Sequence, residues 1–169
     1  MYKRQLARLK PAAEDFRIYW DNAYCVHDLY EDKADQILEI LGECEKAGNP
    51  NLPIEFCSTS KITFSGAGVS GLITSLENKA DILKRLTIQT IGFDKINQLR
   101  HVKFLKDIDG VKAHMAKHAA IIRPKFEAVL ETLEKELGEL GIASWSKPVG
   151  GYFISFNAQK GCAKAIVAK

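Results

Sequence analysis

Lys61 is the residue around which chemistry can be placed. It stands alone among small and hydroxyl side chains in the stretch Phe56-Cys57-Ser58-Thr59-Ser60-Lys61-Ile62-Thr63-Phe64-Ser65-Gly66-Ala67-Gly68-Val69-Ser70-Gly71. The apolar run from Leu52 to Cys57 reads as a short buried strand, and it stops at three hydroxyl residues followed by the lysine. Gly66, Gly68 and Gly71 then let the backbone come close to another group. Two readings are open for such a lysine. One is a partly desolvated amine with a neutral fraction usable in Schiff-base chemistry. The other is a surface-loop lysine beside a Ser/Thr turn. Asp21 is a second polar residue at the end of an apolar run, Phe16-Arg17-Ile18-Tyr19-Trp20, and it opens the loop from Asn22 through Tyr24 to Asp28. Alone, Asp21 reads first as a strand-end turn residue, and Tyr24 can be read as a half-buried aromatic with a satisfied hydroxyl. In open α/β sheets, however, ligands collect at the carboxyl ends of strands, which gives Asp21 and Lys61 one shared site.

The elements that must position these residues follow an α/β rhythm. Phe16–Trp20 reads as a strand. Ala34 to Lys46 has helical spacing at Ile37, Leu38, Ile40 and Leu41, closed by Gly48. The strand and lysine loop come next, then a second apolar run from Val69 to Leu76. Strand, helix, strand, loop, strand is the pattern of a doubly wound layer. Beyond Asn78 the chain turns helical, over Lys79–Thr90, Asp94–Phe104 and Val111–Leu140. Pro124 should kink the last of these or mark a boundary within it. Gly150-Gly151-Tyr152-Phe153-Ile154-Ser155-Phe156 reads as a strand with alternating faces, and Gly161–Lys169 as the opening of a helix. Met1 to Lys10 is basic, weakly patterned and ended by Pro11.

Composition narrows the class. The 169 residues, 46% hydrophobic and 27% charged, suit one globular chain with a real core. The net charge of +3 is spread out, without the basic and aromatic clusters of a nucleic-acid surface. No apolar run is long enough for a membrane span and no signal-peptide core is present, so a cytoplasmic protein is expected. Cys25, Cys44, Cys57 and Cys162 lack metal-site or CxxC spacing, which fits a reducing compartment. His114 and His118 have the i, i+4 spacing of metal ligands but no third ligand nearby, so no metal is expected there. His27 lies near the site loop without a nameable partner. Arg100 and His101 have no role beyond packing or a subunit contact, and Glu127–Glu139 is a solvated helix face.

With these positions fixed, the chain resembles part of a fold-type I aminotransferase, the aspartate aminotransferase fold. Three features carry the resemblance. Asp21-Asn22-Ala23-Tyr24 is similar to the family's Asp-x-x-Tyr. Ser58-Thr59-Ser60-Lys61, with its lysine forty residues after Asp21, is similar to Ser-x-x-Lys or Ser-x-Ser-Lys. Lys147-Pro148-Val149-Gly150-Gly151-Tyr152-Phe153 is similar to the Pro-x-Gly-Gly-x-Phe that opens a small-domain strand. The wording of 58–70, Ile96–Val102 and Trp145–Ser155 resembles a bacterial subgroup of aspartate aminotransferases. The resemblance covers nearly everything after Leu6.

The resemblance implies a partial fold: the end of the large doubly wound domain and the start of the small α+β domain. Residues 1–10 would lie outside the family or be poorly ordered, 11–90 would close the large domain, and 91–169 would form interdomain helices and part of the small domain. It implies pyridoxal 5'-phosphate, carried as an aldimine by Lys61, with Asp21 on the pyridine nitrogen and beneath the ring, and Tyr24 on the phenolic oxygen. Ser58, Ser60 and Ser65 would bind the phosphate. The activity implied is amino transfer between an amino acid, aspartate first, and a 2-oxo acid, by a cytoplasmic homodimer when full length. Alternatives are another pyridoxal-phosphate reaction on the same fold, or the effector domain of a GntR-type transcription regulator. Two departures are plain. The arginine that most of the fold places eight residues after the lysine is here Val69. The family's N-terminal third and C-terminal substrate arginine have no counterpart, so the chain is expected to be an internal fragment with weak cofactor affinity and negligible turnover alone.

Overall fold

The structure, a computed structural model, describes residues 2–63 and 65–169. Met1 and Phe64, each part of a stretch read above, lie outside the described residues. The chain divides into two compact units, Met1–Cys25 with Gln36–Val111, and Val26–Asp35 with Lys112–Lys169.

The first unit is built on a three-stranded sheet in the order β1 (Ile18–Asp21), β2 (Pro53–Ser58), β3 (Ser70–Thr74). β1 and β2 run parallel, with Asp21 opposite Phe56. The helix α2 (Ile40–Lys46) lies on the connection between them, as a parallel pair requires. β3 runs antiparallel to β2, with Ser58 opposite Ser70. The doubly wound expectation thus holds for one pair only: the loop between β2 and β3 is too short for a crossover, so the chain returns as an antiparallel edge.

α2 is shorter than the helix expected from Ala34. The Glu39 carboxylate accepts from the backbone N–H of Leu41 and Gly42 and so starts the helix there. The Leu38 carbonyl is taken by the Lys3 ammonium at 2.7 Å instead of by a helical N–H. The first ten residues, read as weakly patterned, contain a helix, α1 (Tyr2–Ala7). Ala7, Ile40, Cys44 and Leu52 form the buried cluster of this unit, with Ile18 and Trp20 packed against it. Ile40 and Cys44 are four apart on α2 and therefore share one face. Burial, and then Glu39 and Glu43, push the Cys44 thiol above its ordinary pKa, which keeps it protonated and inert.

α3 (Leu76–Gln89) and α4 (Lys95–Leu105) complete the unit. Their starts are set by side-chain caps: Ser75 Oγ accepts from Asn78 N at 3.2 Å, and Asp94 Oδ1 from Asn97 N at 2.9 Å.

The second unit is carried by α5 (Ile108–Leu137), a hairpin of β4 (Ala143–Trp145) with β5 (Phe156–Ala158), and α6 (Ala163–Ala168). Pro124 lies inside α5, which continues past it, so it marks no boundary. The strand expected over Gly150–Phe156 forms only at its end. Gly150 makes a single bridge to Asp28, and Gly151, at φ +79°, turns the chain out of the extended conformation. A Cβ at Gly150 would lie 2.9 Å from the His27 carbonyl oxygen, so the close approach needs glycine. Among the described residues no helix is long and apolar enough to cross a membrane.

Candidate active site

The first unit holds Asp21, Tyr24, Lys61 and the serines Ser58, Ser60 and Ser65. Asp21 closes β1, and its Oδ1 accepts from the Ala23 N–H at 3.1 Å. The ladder runs one residue further, Asn22 N donating to the Phe56 carbonyl at 2.8 Å. Asn22 is fixed a second time by its side-chain amide, which donates to Glu55 Oε1 at 2.6 Å. Glu55 is buried in β2, and nothing in its sequence context marks it as the anchor of the Asp21 loop. This loop presents Tyr24, half-buried, to the end of β2.

Lys61 follows three residues after β2 ends at Ser58. The backbone winds into a single helical turn, Ile62 N and Thr63 N both donating to the Thr59 carbonyl at 3.0 and 2.9 Å. Ile62 is buried beneath the turn and Lys61 is exposed on its outer side. The Lys61 amine lies 5.2 Å from the centroid of the Tyr24 ring. Asp21, Tyr24 and Lys61 are therefore set by the carboxyl ends of two adjacent parallel strands and their loops. The burial expected for two of them is absent in this chain: Asp21 and Lys61 are both exposed.

The serines divide. Ser58 Oγ accepts from Ser60 N at 3.4 Å, a long bond that folds the backbone toward the strand end. Ser60 is half-buried against Gly68, whereas Ser65 is exposed. A Cβ on Gly68 would overlap the Ser60 hydroxyl and come within 2.9 Å of its backbone nitrogen. Gly68→Ala is therefore expected to push the 65–69 loop off Ser60, at a cost of about 1–3 kcal/mol. The measurement is hydrogen exchange by mass spectrometry. Exchange should rise across 59–69 while α2 and β2 stay protected, and an unchanged loop would contradict the contact.

The loop is tied down from α4 by residues that have no marked role in the sequence. His101 Nε2 lies 2.8 Å from Thr59 Oγ1 and 3.3 Å from Thr63 Oγ1, and its Nδ1 is 2.9 Å from the Asn97 carbonyl. Thr59 Oγ1 accepts from Val69 N at 2.8 Å, and the Asn97 side-chain amide donates to the Ala67 carbonyl at 3.0 Å. The one available signal was the pair Thr59 and Thr63, four apart around the lysine.

In the second unit, His114 and His118 have ring centroids 4.6 Å apart. Burial, then His114 and His27, lower the His118 pKa below the usual 6.5. Among the described residues no group of three or more histidine, cysteine or carboxylate side chains could hold a metal ion. His27 is buried, with its ring edge-on to Tyr152 at 5.1 Å.

The donor set is an amine, a phenol, a carboxylate and a serine-rich strand end. Pyridoxal phosphate offers an aldehyde, a phenolic oxygen, a pyridine nitrogen and a phosphate, so the residues present fit that group one function to one function.

The chain is similar to known proteins over nearly its whole length. A family model described as aspartate amino-transferase matches residues 2–169. An aspartate aminotransferase from Corynebacterium glutamicum is 47% identical over 163 residues, 96% of this chain and 38% of that protein. The crystal structure of an aspartate transaminase from the same organism superposes with a TM-score of 0.89 at 48% identity, over 95% of this chain and 38% of that one. An α-aminoadipate aminotransferase from Thermus thermophilus, complexed with N-(5'-phosphopyridoxyl)-L-leucine, gives a TM-score of 0.66. It is 21% identical over 86% of this chain and 35% of its own, and shows the fold alone. The chain thus spans about 38% of the length of the curated relatives it matches.

Proposed function

The chain belongs to the aspartate aminotransferase family, a partial aminotransferase fold, and on that premise we propose that it carries the lysine, aspartate and tyrosine of a pyridoxal-phosphate-dependent amino transfer. The observation that carries the reading is the Lys61 amine 5.2 Å from the Tyr24 ring centroid, beside two parallel strands of which the first ends in Asp21.

When bound, pyridoxal 5'-phosphate supplies an aldehyde for condensation with amines and a conjugated ring that takes up the electron pair left at the substrate Cα. The Asp21 carboxylate holds a proton at the pyridine nitrogen. The Tyr24 hydroxyl donates to the phenolic oxygen. Lys61 Nζ holds the cofactor and, once released, takes the proton from the substrate Cα. Ser58, Ser60 and Ser65, with the amides of their loop, bind the phosphate, since the arginine position is Val69.

The substrates in this reading are an amino acid, aspartate first, and a 2-oxo acid, and the enzyme is a cytoplasmic homodimer at the length of its relatives. Residues 11–90 then close the large domain, and 91–169 supply interdomain helices and part of the small one. Alone, the chain has weak cofactor affinity and negligible turnover, because Asp21 and Lys61 are both exposed in it.

The test is incubation with pyridoxal phosphate, borohydride reduction and peptide mass mapping, with Lys61→Ala as control. A pyridoxyl group concentrated on Lys61, and lost in the variant without moving elsewhere, is the expected result. Label spread evenly over the exposed lysines would overturn the reading.

A further inference from the structure

We propose that His101 is the positioning residue of the Lys61 turn, holding the amine over the Tyr24 ring through Thr59. The inference rests on the reading of Lys61 as the cofactor lysine and names the residue that sets where that lysine stands.

The hydrogen bonds run in one direction. A backbone carbonyl only accepts, so His101 Nδ1 donates its proton to the Asn97 carbonyl at 2.9 Å. In the neutral ring this leaves Nε2 as an acceptor, and the hydroxyl 2.8 Å from it is that of Thr59. Thr59 Oγ1 in turn receives the Val69 N–H at 2.8 Å. Asn97 closes the circuit, its side-chain amide donating to the Ala67 carbonyl at 3.0 Å. Thr63 donates its own proton to the Thr59 carbonyl at 3.1 Å, so the ring nitrogen takes its hydrogen bond from Thr59 alone. Both ends of the loop from Thr59 to Val69 are therefore fastened to the first turns of α4 through one imidazole.

Lys61 needs such a fastening. It lies beyond the last residue of β2, in a turn held by two backbone bonds to a single carbonyl, that of Thr59. Thr59 is also the residue His101 holds. A slip of Thr59 rotates the turn and carries the lysine off Tyr24. At the far end of the loop the Val69 backbone N–H is committed to the same Thr59 hydroxyl.

The test compares His101→Phe, which keeps a ring but no nitrogen, with His101→Gln, whose side-chain oxygen can accept the Thr59 hydroxyl. The first readout needs no cofactor. Lysines are reductively methylated with 13C-formaldehyde, and the Lys61 signal, assigned with Lys61→Arg, is displaced from the solvated lysines by the Tyr24 ring current. The second readout is the share of borohydride-trapped pyridoxyl on Lys61. His101→Phe is expected to return the Lys61 signal to the solvated position and lower its label share about tenfold. His101→Gln is expected to restore most of both. Circular dichroism reports the fold, and if His101→Phe unfolds, His101→Gln decides alone: near wild-type behaviour supports the role. The role is overturned by a wild-type Lys61 signal among the solvated lysines, by His101→Phe leaving both readouts unchanged, or by His101→Gln failing as His101→Phe does. A displaced signal lost in His101→Phe, without preferential labelling of Lys61 in the wild type, keeps the positioning role and sinks the cofactor reading.

Discussion

Lys61→Ala, made in the chain extended to the length of its relatives, is expected to lower amino transfer about ten-thousandfold. In the proposed function two roles converge on the one amine, holding the cofactor and then moving the Cα proton, and a positioned acid–base group alone is worth about 10²–10⁴. The more informative variant is Lys61→Arg. Arginine keeps the positive charge and stacks on Tyr24 at least as well as lysine. It keeps its proton, because its pKa is above about 12, and so can neither condense with an aldehyde nor take a proton from Cα. Both variants should therefore fall together, with melting temperatures close to wild type because Lys61 is exposed. The measurement is the single-turnover rate of amino-acid consumption at saturating pyridoxal phosphate. Retention of more than about a tenth of the rate in Lys61→Arg would mean that the charge, and not the amine, is what the site uses.

The residues that end strands were legible from sequence. Asp21 and Ser58 each follow an apolar run, and the structure ends β1 and β2 on them. Helices α3 and α4 were legible as periodic segments, and the caps Ser75 and Asp94 place their starts within a few residues of the expected ones. What the sequence hid depends on distant partners. His101 meets Thr59 across 42 positions, and neither residue type announces the other. α1 is a short basic segment whose buried side chain, Ala7, packs in a cluster with Ile40, Cys44 and Leu52, all distant in sequence. The Gly150–Phe156 segment alternates as a strand should, yet Gly151 takes a positive φ that no alternation pattern encodes. Apolar periodicity also says that a face exists without saying that this chain covers it. Ile88, Phe93 and Ile96 remain exposed at the end of α3, between the helices and on α4. The exposure of Asp21 and Lys61 has the same character: a motif names the candidate residues, while their burial depends on what is packed around them.

Asn78→Leu is expected to destabilise the first unit by about 2–4 kcal/mol, more than a surface change on α3 could. Asn78 is buried at the third position of the helix, and all its polar atoms are used. Its side-chain amide donates to the Asn51 carbonyl at 2.8 Å and to Thr74 Oγ1 at 3.0 Å. Its Oδ1 accepts from Arg17 Nε at 2.9 Å. One side chain thus joins α3 to the residue before β1, the turn before β2 and the end of β3. Leucine keeps the branching at Cγ and is no smaller, so the cost comes chiefly from the partners left behind and not from a cavity. Arg17 matters most, because a donor that carries charge loses more when its acceptor goes. A double-mutant cycle separates the terms. Arg17→Met removes the stranded guanidinium, so Arg17→Met with Asn78→Leu should be less destabilised than the two single changes summed, by about 0.5–3 kcal/mol. Urea unfolding of the four proteins measures it. Strict additivity would show that Arg17 contributes nothing through Asn78, and would leave the two carbonyl- and hydroxyl-directed bonds as the whole of its hold on the sheet.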